Sequence, residues 1–138
     1  MIPEIGVRVQ EHRGIPVIHV EGEIDVANAT ELRNQILASV SNAVPGLILD
    51  LSGVTYLDSR GVQLVLELAE RMKIRHLWFR VVMPEKSVVQ RILFLTHVDA
   101  VVPLDTTVED AARQILAGHG GDVTSPNHAG PRGPRPIR

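Results

Sequence analysis

The stretch from Pro45 to Met72, PGLILDLSGVTYLDSRGVQLVLELAERM, restricts the fold more than any other part of this chain. Its first nine residues are a short continuous apolar run between turn residues. That pattern reads as a strand buried on both faces, hence central and parallel to its neighbours. From Gly61 the apolar period changes. Val62, Val65, Leu66, Ala69 and Met72 share one helical stripe, and Gln63, Glu67, Glu70 and Arg71 lie opposite. Glu67 and Arg71 are spaced as a favourable i, i+4 pair. A buried parallel strand followed at once by an amphipathic helix needs further strand–helix units to cover both faces of the sheet.

The rest of the chain supplies them. VRVQE and IPVIHVEG flank HRG and read as a hairpin, roughly Ile5–Glu11 and Ile15–Glu21. In DVANATELRNQILASV, Leu32, Ile36 and Val40 recur at i, i+4 and i+8 with Leu37 beside them, which predicts a helix. Asn28 is its expected N-cap, with Glu31 three residues on as in a capping box. HLWFRVVM reads as a strand. KSVVQRILFL reads as a short helix with Val88, Ile92 and Leu95 aligned. AVVPL reads as a strand whose Pro103 lacks a ladder donor, so it belongs at an edge or a strand end. TVEDAARQIL is the last predicted helix, lined by Val108, Ala112 and Ile115 and capped by Thr106 or Thr107. The order is β-β-α-β-α-β-α-β-α, an α/β fold with a mostly parallel central sheet and helices packed on it.

The domain is expected over residues 1–117. Residues 118–138 are rich in Gly, Pro and polar residues without periodicity and are expected to be a disordered tail. The tail carries Arg132, Arg135 and Arg138 against Asp122 alone, so it is basic and the folded part acidic. Its sharper reading is an electrostatic contact with an acidic partner or membrane surface; the plainer one is an unconstrained terminus. A net charge of -2 and 3% aromatic residues argue against nucleic acid as the main partner. With no cysteine in 138 residues, disulfides, thiolate metal sites and cysteine catalysis are excluded. No signal segment or long apolar run is visible, and the expectation is a cytoplasmic protein without a membrane span. Oligomeric state is expected to be monomer or weak homodimer.

Candidate chemistry concentrates at LDSRGV. Ser59 stands between Asp58 and Arg60 where the strand gives way to the helix. As a nucleophile it would need a base and an oxyanion hole, and no G-x-S-x-G elbow surrounds it. As a helix N-cap it is worth about 1 kcal/mol. As a phosphoacceptor it would gain roughly -1.5 to -2 charge at a helix N-terminus, beside Arg60 as a donor and Asp58 as a repelling neighbour. Cap and switch are compatible. Metal and nucleotide readings have no motif. His12, His19, His76, His97, His119 and His128 never recur at i, i+3 or i, i+4, and no Walker A or G-x-G-x-x-G occurs. No cofactor, metal or catalytic residue is expected.

Three segments resemble a known family. VEGEIDVANATELRNQI resembles the N-terminal signature of STAS domains. LILDLSGVTYLDSRGVQLVLELAERM resembles their central strand, phosphorylation loop and second helix. VVMPEKSVVQRILFLTHVDAVVPLDTTVEDAARQI resembles their C-terminal part. The resemblance runs from about Ile5 to Leu116. It implies a single-domain anti-sigma factor antagonist that binds a cytoplasmic anti-sigma factor with serine-kinase activity and thereby frees a sigma factor. Phosphorylation of the antagonist breaks that complex, a phosphatase restores it, and ATP and Mg²⁺ belong to the kinase.

The resemblance further implies that Ser59 is the phosphoacceptor and that Asp25, Asp58 and Gly61 belong to the partner surface; Arg60, beside them, is expected to tune that surface. Three departures stand out. Arg60 replaces a small residue, Gln63 replaces another, and MKIRHLW lacks the usual glycine-rich turn. Two other readings stay open: an unphosphorylated STAS scaffold or accessory subunit of a stress-signalling complex or of a lipid or anion transporter, and an enzyme using Ser59.

Overall fold

A computed structural model describes residues 5–118; the predicted tail, beyond its first residue Gly118, lies outside them. The elements are β1 (Gly6–His12), β2 (Ile15–Ile24), α1 (Ala29–Ser39), β3 (Gly46–Leu57), α2 (Ser59–Ile74), β4 (Trp78–Val82), α3 (Val88–Leu95), a 3-10 turn (Val98–Ala100), β5 (Leu104–Asp105) and α4 (Val108–Leu116). The expected order therefore holds. The five strands form one mixed sheet in chain order, with β1 antiparallel to β2 and the other neighbours parallel. The hairpin turns at Arg13 and Gly14, whose φ angles of 55° and 80° are the left-handed pair that a two-residue hairpin needs. No helix among the described residues is long and apolar enough to cross a membrane.

Alternation along the strands sorts the core into two layers. Ile18, Val20, Leu47, Leu49 and Leu51 point to one face, where α1, α2 and α3 bury Leu32, Ile36, Val65, Leu68, Met72, Val89 and Leu93. Ile15, Val17, Ile48 and Val82 point to the other, covered by Ala111, Ala112 and Ile115 of α4. Helices on both faces are why Leu47 to Leu51 read as continuous rather than alternating. Thr107 caps α4, accepting the Asp110 N–H at 3.0 Å. Polar groups on the α4 side are paired. His19 meets Asp50 at 2.6 Å and Gln10 at 2.9 Å. Arg80 grips Asp105 through two nitrogens, at 2.6 and 3.2 Å, tying the two-residue β5 to β4.

The structure departs from the sequence reading at several points. β3 runs four residues past the predicted strand, to Leu57, because β2 also continues, to Ile24, and pairs with it through two register shifts. AVVPL is mostly not strand; only Leu104 and Asp105 pair, beside Val81 and Val82. Pro103 lies just before that edge strand and offers its carbonyl to the Val81 N–H at 3.1 Å. In α3 the predicted face is wrong. Val89 and Leu93 are buried, Ile92 is half-buried, and Val88 and Leu95 are 56% and 72% exposed. The helix is apolar around most of its circumference, so periodicity could not choose its inner face. In α2, Leu64 and Leu68 join the predicted stripe in the core. Glu67 pairs with Arg33 of α1 at 3.0 Å rather than with Arg71.

Candidate functional site

The parallel strands β2 and β3 end side by side, and α1 and α2 start there. Ile24 and Leu57 are paired in register, so the loops Asp25–Asn28 and Asp58–Arg60 adjoin. Asp58 organises the junction. Its backbone is extended, its N–H donates to the Ile24 carbonyl at 3.1 Å, and it occupies the N-cap of α2. One carboxylate oxygen accepts the Arg60 and Gly61 N–H groups at 2.9 and 3.0 Å. The other reaches across to the Val26 N–H at 3.1 Å.

The cap reading of Ser59 is thereby corrected. Asp58 is the cap, and Ser59 is the first residue of α2, exposed and without a capping role. Both residue types cap well. The extension of β3 to Leu57 decides between them, because it leaves Asp58 as the residue that turns from strand to helix.

Asp25 is absorbed by its own loop. Its carboxylate accepts the Ala27 N–H at 3.0 Å, and its carbonyl accepts the Asn28 and Ala29 N–H groups at 3.1 and 2.9 Å. Asn28 holds the N-cap position of α1 without capping it. Its side chain instead accepts the Asp25 N–H at 3.1 Å and donates to the Glu23 carbonyl at 2.9 Å, so the capping box with Glu31 does not form. The two loops are thus joined through Val26 and Asp58, not through the Asp25 carboxylate.

Gly61 is buried where β2 and α2 touch. A Cβ there would lie 3.0 Å from the Ile24 carbonyl oxygen and 3.1 Å from Leu57 Cδ2. The requirement is for space rather than for a left-handed backbone. Arg60 is exposed and extends along the rim, where its Nη2 donates to Thr30 Oγ1 of α1 at 3.2 Å. Its charge meets a neutral hydroxyl, whereas the charge of Asp58 is met by three N–H groups. The rim therefore presents a cation and an unengaged serine on a hydrogen-bonded frame, with Val26 and Tyr56 exposed at 72% and 48%.

Val26 and Thr30 were missed by the sequence reading. Val26 acts through its backbone N–H, which carries no residue signature, and Thr30 is 30 positions from Arg60. Among the described residues, no hydrogen bond joins Ser59 to a base, and two of the histidines are engaged elsewhere. His12 is paired with Glu109, and His19 lies between Asp50 and Gln10. Among the described residues no group of three His, Cys, Asp or Glu side chains is placed to hold a metal ion.

Comparison with known proteins agrees with this architecture. Residues 6–111 match the family model described as the STAS domain. RsfB of Mycobacterium tuberculosis (strain H37Rv), named an anti-sigma-F factor antagonist, is 32% identical over 114 residues, which is 83% of this chain and 92% of that protein. RsfA of the same strain carries the same description and is 29% identical over 105 residues, 75% of this chain and 81% of that protein. A crystal structure of an anti-sigma factor antagonist from Mycobacterium paratuberculosis shares the fold with a TM-score of 0.73 at 33% identity, covering 82% of this chain and 95% of that one. With the family match extending from β1 into α4, and a relative above 30% identity along most of its length, the chain belongs to the STAS domain family.

Proposed function

We propose that this chain is an anti-sigma factor antagonist: a cytoplasmic binding protein, not an enzyme, that captures an anti-sigma factor and so frees a sigma factor. The partner is an anti-sigma factor that is also a serine kinase, and phosphorylation of Ser59 releases it. The observation that carries this reading is Ser59 itself, exposed at the first position of α2 on a loop that Asp58 ties to the neighbouring loop. The 32% identity to an anti-sigma-F factor antagonist supplies the partner class. Asp58 shapes the loop, Gly61 permits its close approach to β2, and Asp25 and Arg60 flank the docking rim.

Moving a complex from mostly bound to mostly free, 99:1 to 1:99, takes about 5.5 kcal/mol. A phosphate desolvated against a partner carboxylate is strong enough for that; a solvated rim charge is not. Titration against the cognate anti-sigma factor tests the switch: Ser59→Ala binds close to wild type and Ser59→Glu clearly more weakly. Equal affinities for all three proteins sink it.

A second reading, an unphosphorylated docking subunit, is favoured by one observation. The Arg60 side chain lies on the surface a kinase must approach. Intact-mass analysis after incubation with the cognate kinase and ATP, with Ser59→Ala as control, separates the two.

A further inference from the structure

We propose that Arg60 is a built-in clamp for a phosphoryl group on Ser59, held on Thr30 until that group arrives. The proposal rests on the reading of Ser59 as phosphoacceptor and adds how the chain itself accommodates the modification.

A phosphate at a helix N-terminus ordinarily draws on the free N–H groups of the first turn. Here all of those donors but the N–H of Ser59 itself are taken. The Arg60 and Gly61 N–H groups bond the Asp58 carboxylate, and the Val62 N–H bonds the Asp58 carbonyl at 3.0 Å. A phosphoryl group on Ser59, carrying roughly -1.5 to -2 charge, would sit one residue from that carboxylate. Beyond the single N–H of Ser59 itself, it either displaces Asp58 or finds a cation.

Arg60 is the cation in reach. Adjacent α-carbons are about 3.8 Å apart, and an extended arginine spans more than that. Its guanidinium has five N–H donors in a fork suited to phosphate. The contact it makes, to the neutral Thr30 hydroxyl at 3.2 Å, is a bond that a charge-assisted one outcompetes. Exchange of Thr30 for the phosphate leaves the Asp58 cap in place and keeps the fold intact. It also removes the exposed cation from the rim and frees Thr30 on α1. The surface facing a partner thus changes from one positive side chain to a neutral or negative pair without any change in the backbone. A partner that meets Arg60 with a carboxylate loses that contact and faces the phosphate instead.

The test needs no kinase. Phosphoserine is installed at position 59 of the full chain during translation, and the second ionisation of the phosphate is followed by phosphorus NMR against pH. Wild type, Arg60→Ala, Arg60→Lys and Thr30→Ala are compared, with amide spectra of the unmodified variants confirming the fold. Clamping holds the wild-type value below the ordinary one of about 6. Arg60→Ala raises it by about half a pH unit or more, Arg60→Lys falls between, and Thr30→Ala matches wild type or lies lower because the competing bond is gone. Equal values in wild type and Arg60→Ala overturn the clamp, and a rise in Thr30→Ala overturns the holding role of Thr30. Because the phosphoserine is encoded, a failed clamp leaves the kinase reading standing, and a failed kinase reaction leaves this measurement intact.

Discussion

Replacing Asp58 with alanine tests whether this residue, rather than Ser59, holds the rim together. The substitution removes an acceptor from the Arg60 and Gly61 N–H groups and a second acceptor from the Val26 N–H. Loss of an N-cap costs about 1 kcal/mol. Loss of the cross-loop bond adds about 0.5–1.5 kcal/mol, because the Val26 amide is exposed and water replaces part of it. The sum is about 2 kcal/mol, or a fall in Tm of roughly 6–12 °C for a domain of this size. Asp58→Asn keeps an oxygen in place and loses the charge, which is worth about 0.3–1 kcal/mol at a helix N-terminus. Ser59→Ala, lacking any cap to lose, stays within about 0.5 kcal/mol of wild type. Urea denaturation followed by the fluorescence of the single tryptophan, Trp78, ranks the three. Hydrogen exchange at the Val26 amide reports the cross-loop bond directly. If Asp58→Ala is as stable as wild type, or if Ser59→Ala is the more damaging change, the assignment of the cap is wrong.

Two further outcomes follow from the packing. In α3, Leu93→Ala costs about 2–5 kcal/mol as a buried leucine truncation, whereas Leu95→Ala, at a 72% exposed site, stays within about 0.5 kcal/mol; urea midpoints in the reverse order would show that the helix faces the other way. The Glu109 carboxyl is held below its ordinary value, chiefly by the hydrogen bond from His12, with Arg13 and Arg113 adding to it. A carboxylate lowered in the folded state contributes stability that is present above its unfolded value and lost as pH falls through the folded one. Acid titration of stability should therefore be shallower for Glu109→Gln than for wild type below the ordinary glutamate range, and identical curves refute the contact between the hairpin and α4.

Much of the fold was legible because its signals are local. The alternation in β2, the continuous apolar run of β3 and the stripe on α2 each report burial within one element, and burial is what the period of a sequence records. The serine at the strand–helix junction was legible for the same reason, since residues that cap helices belong where a helix begins. That Asp58 rather than Ser59 caps the helix was not. That choice depends on how far β3 extends, and β3 extends because β2 runs beside it to Ile24. The inner face of α3 was similarly hidden, since Val88, Val89, Ile92, Leu93, Phe94 and Leu95 leave little polar surface to mark the outside. The two-residue β5 defeated the pattern as well. Its place in the sheet is reinforced by the Arg80–Asp105 fork, between residues 25 apart.

Hydrophobic period and turn residues act over a few neighbours, so the order of the elements, the central place of β3 and the position of Ser59 at the head of α2 can be read along the chain. Long-range contacts set the rest: Asp58 caps the helix, its second oxygen closes onto Val26 and Arg60 rests on Thr30. Those contacts join residues 30 or more apart, or follow from a strand end that such residues set. The chemistry of the rim depends on which donors they leave free.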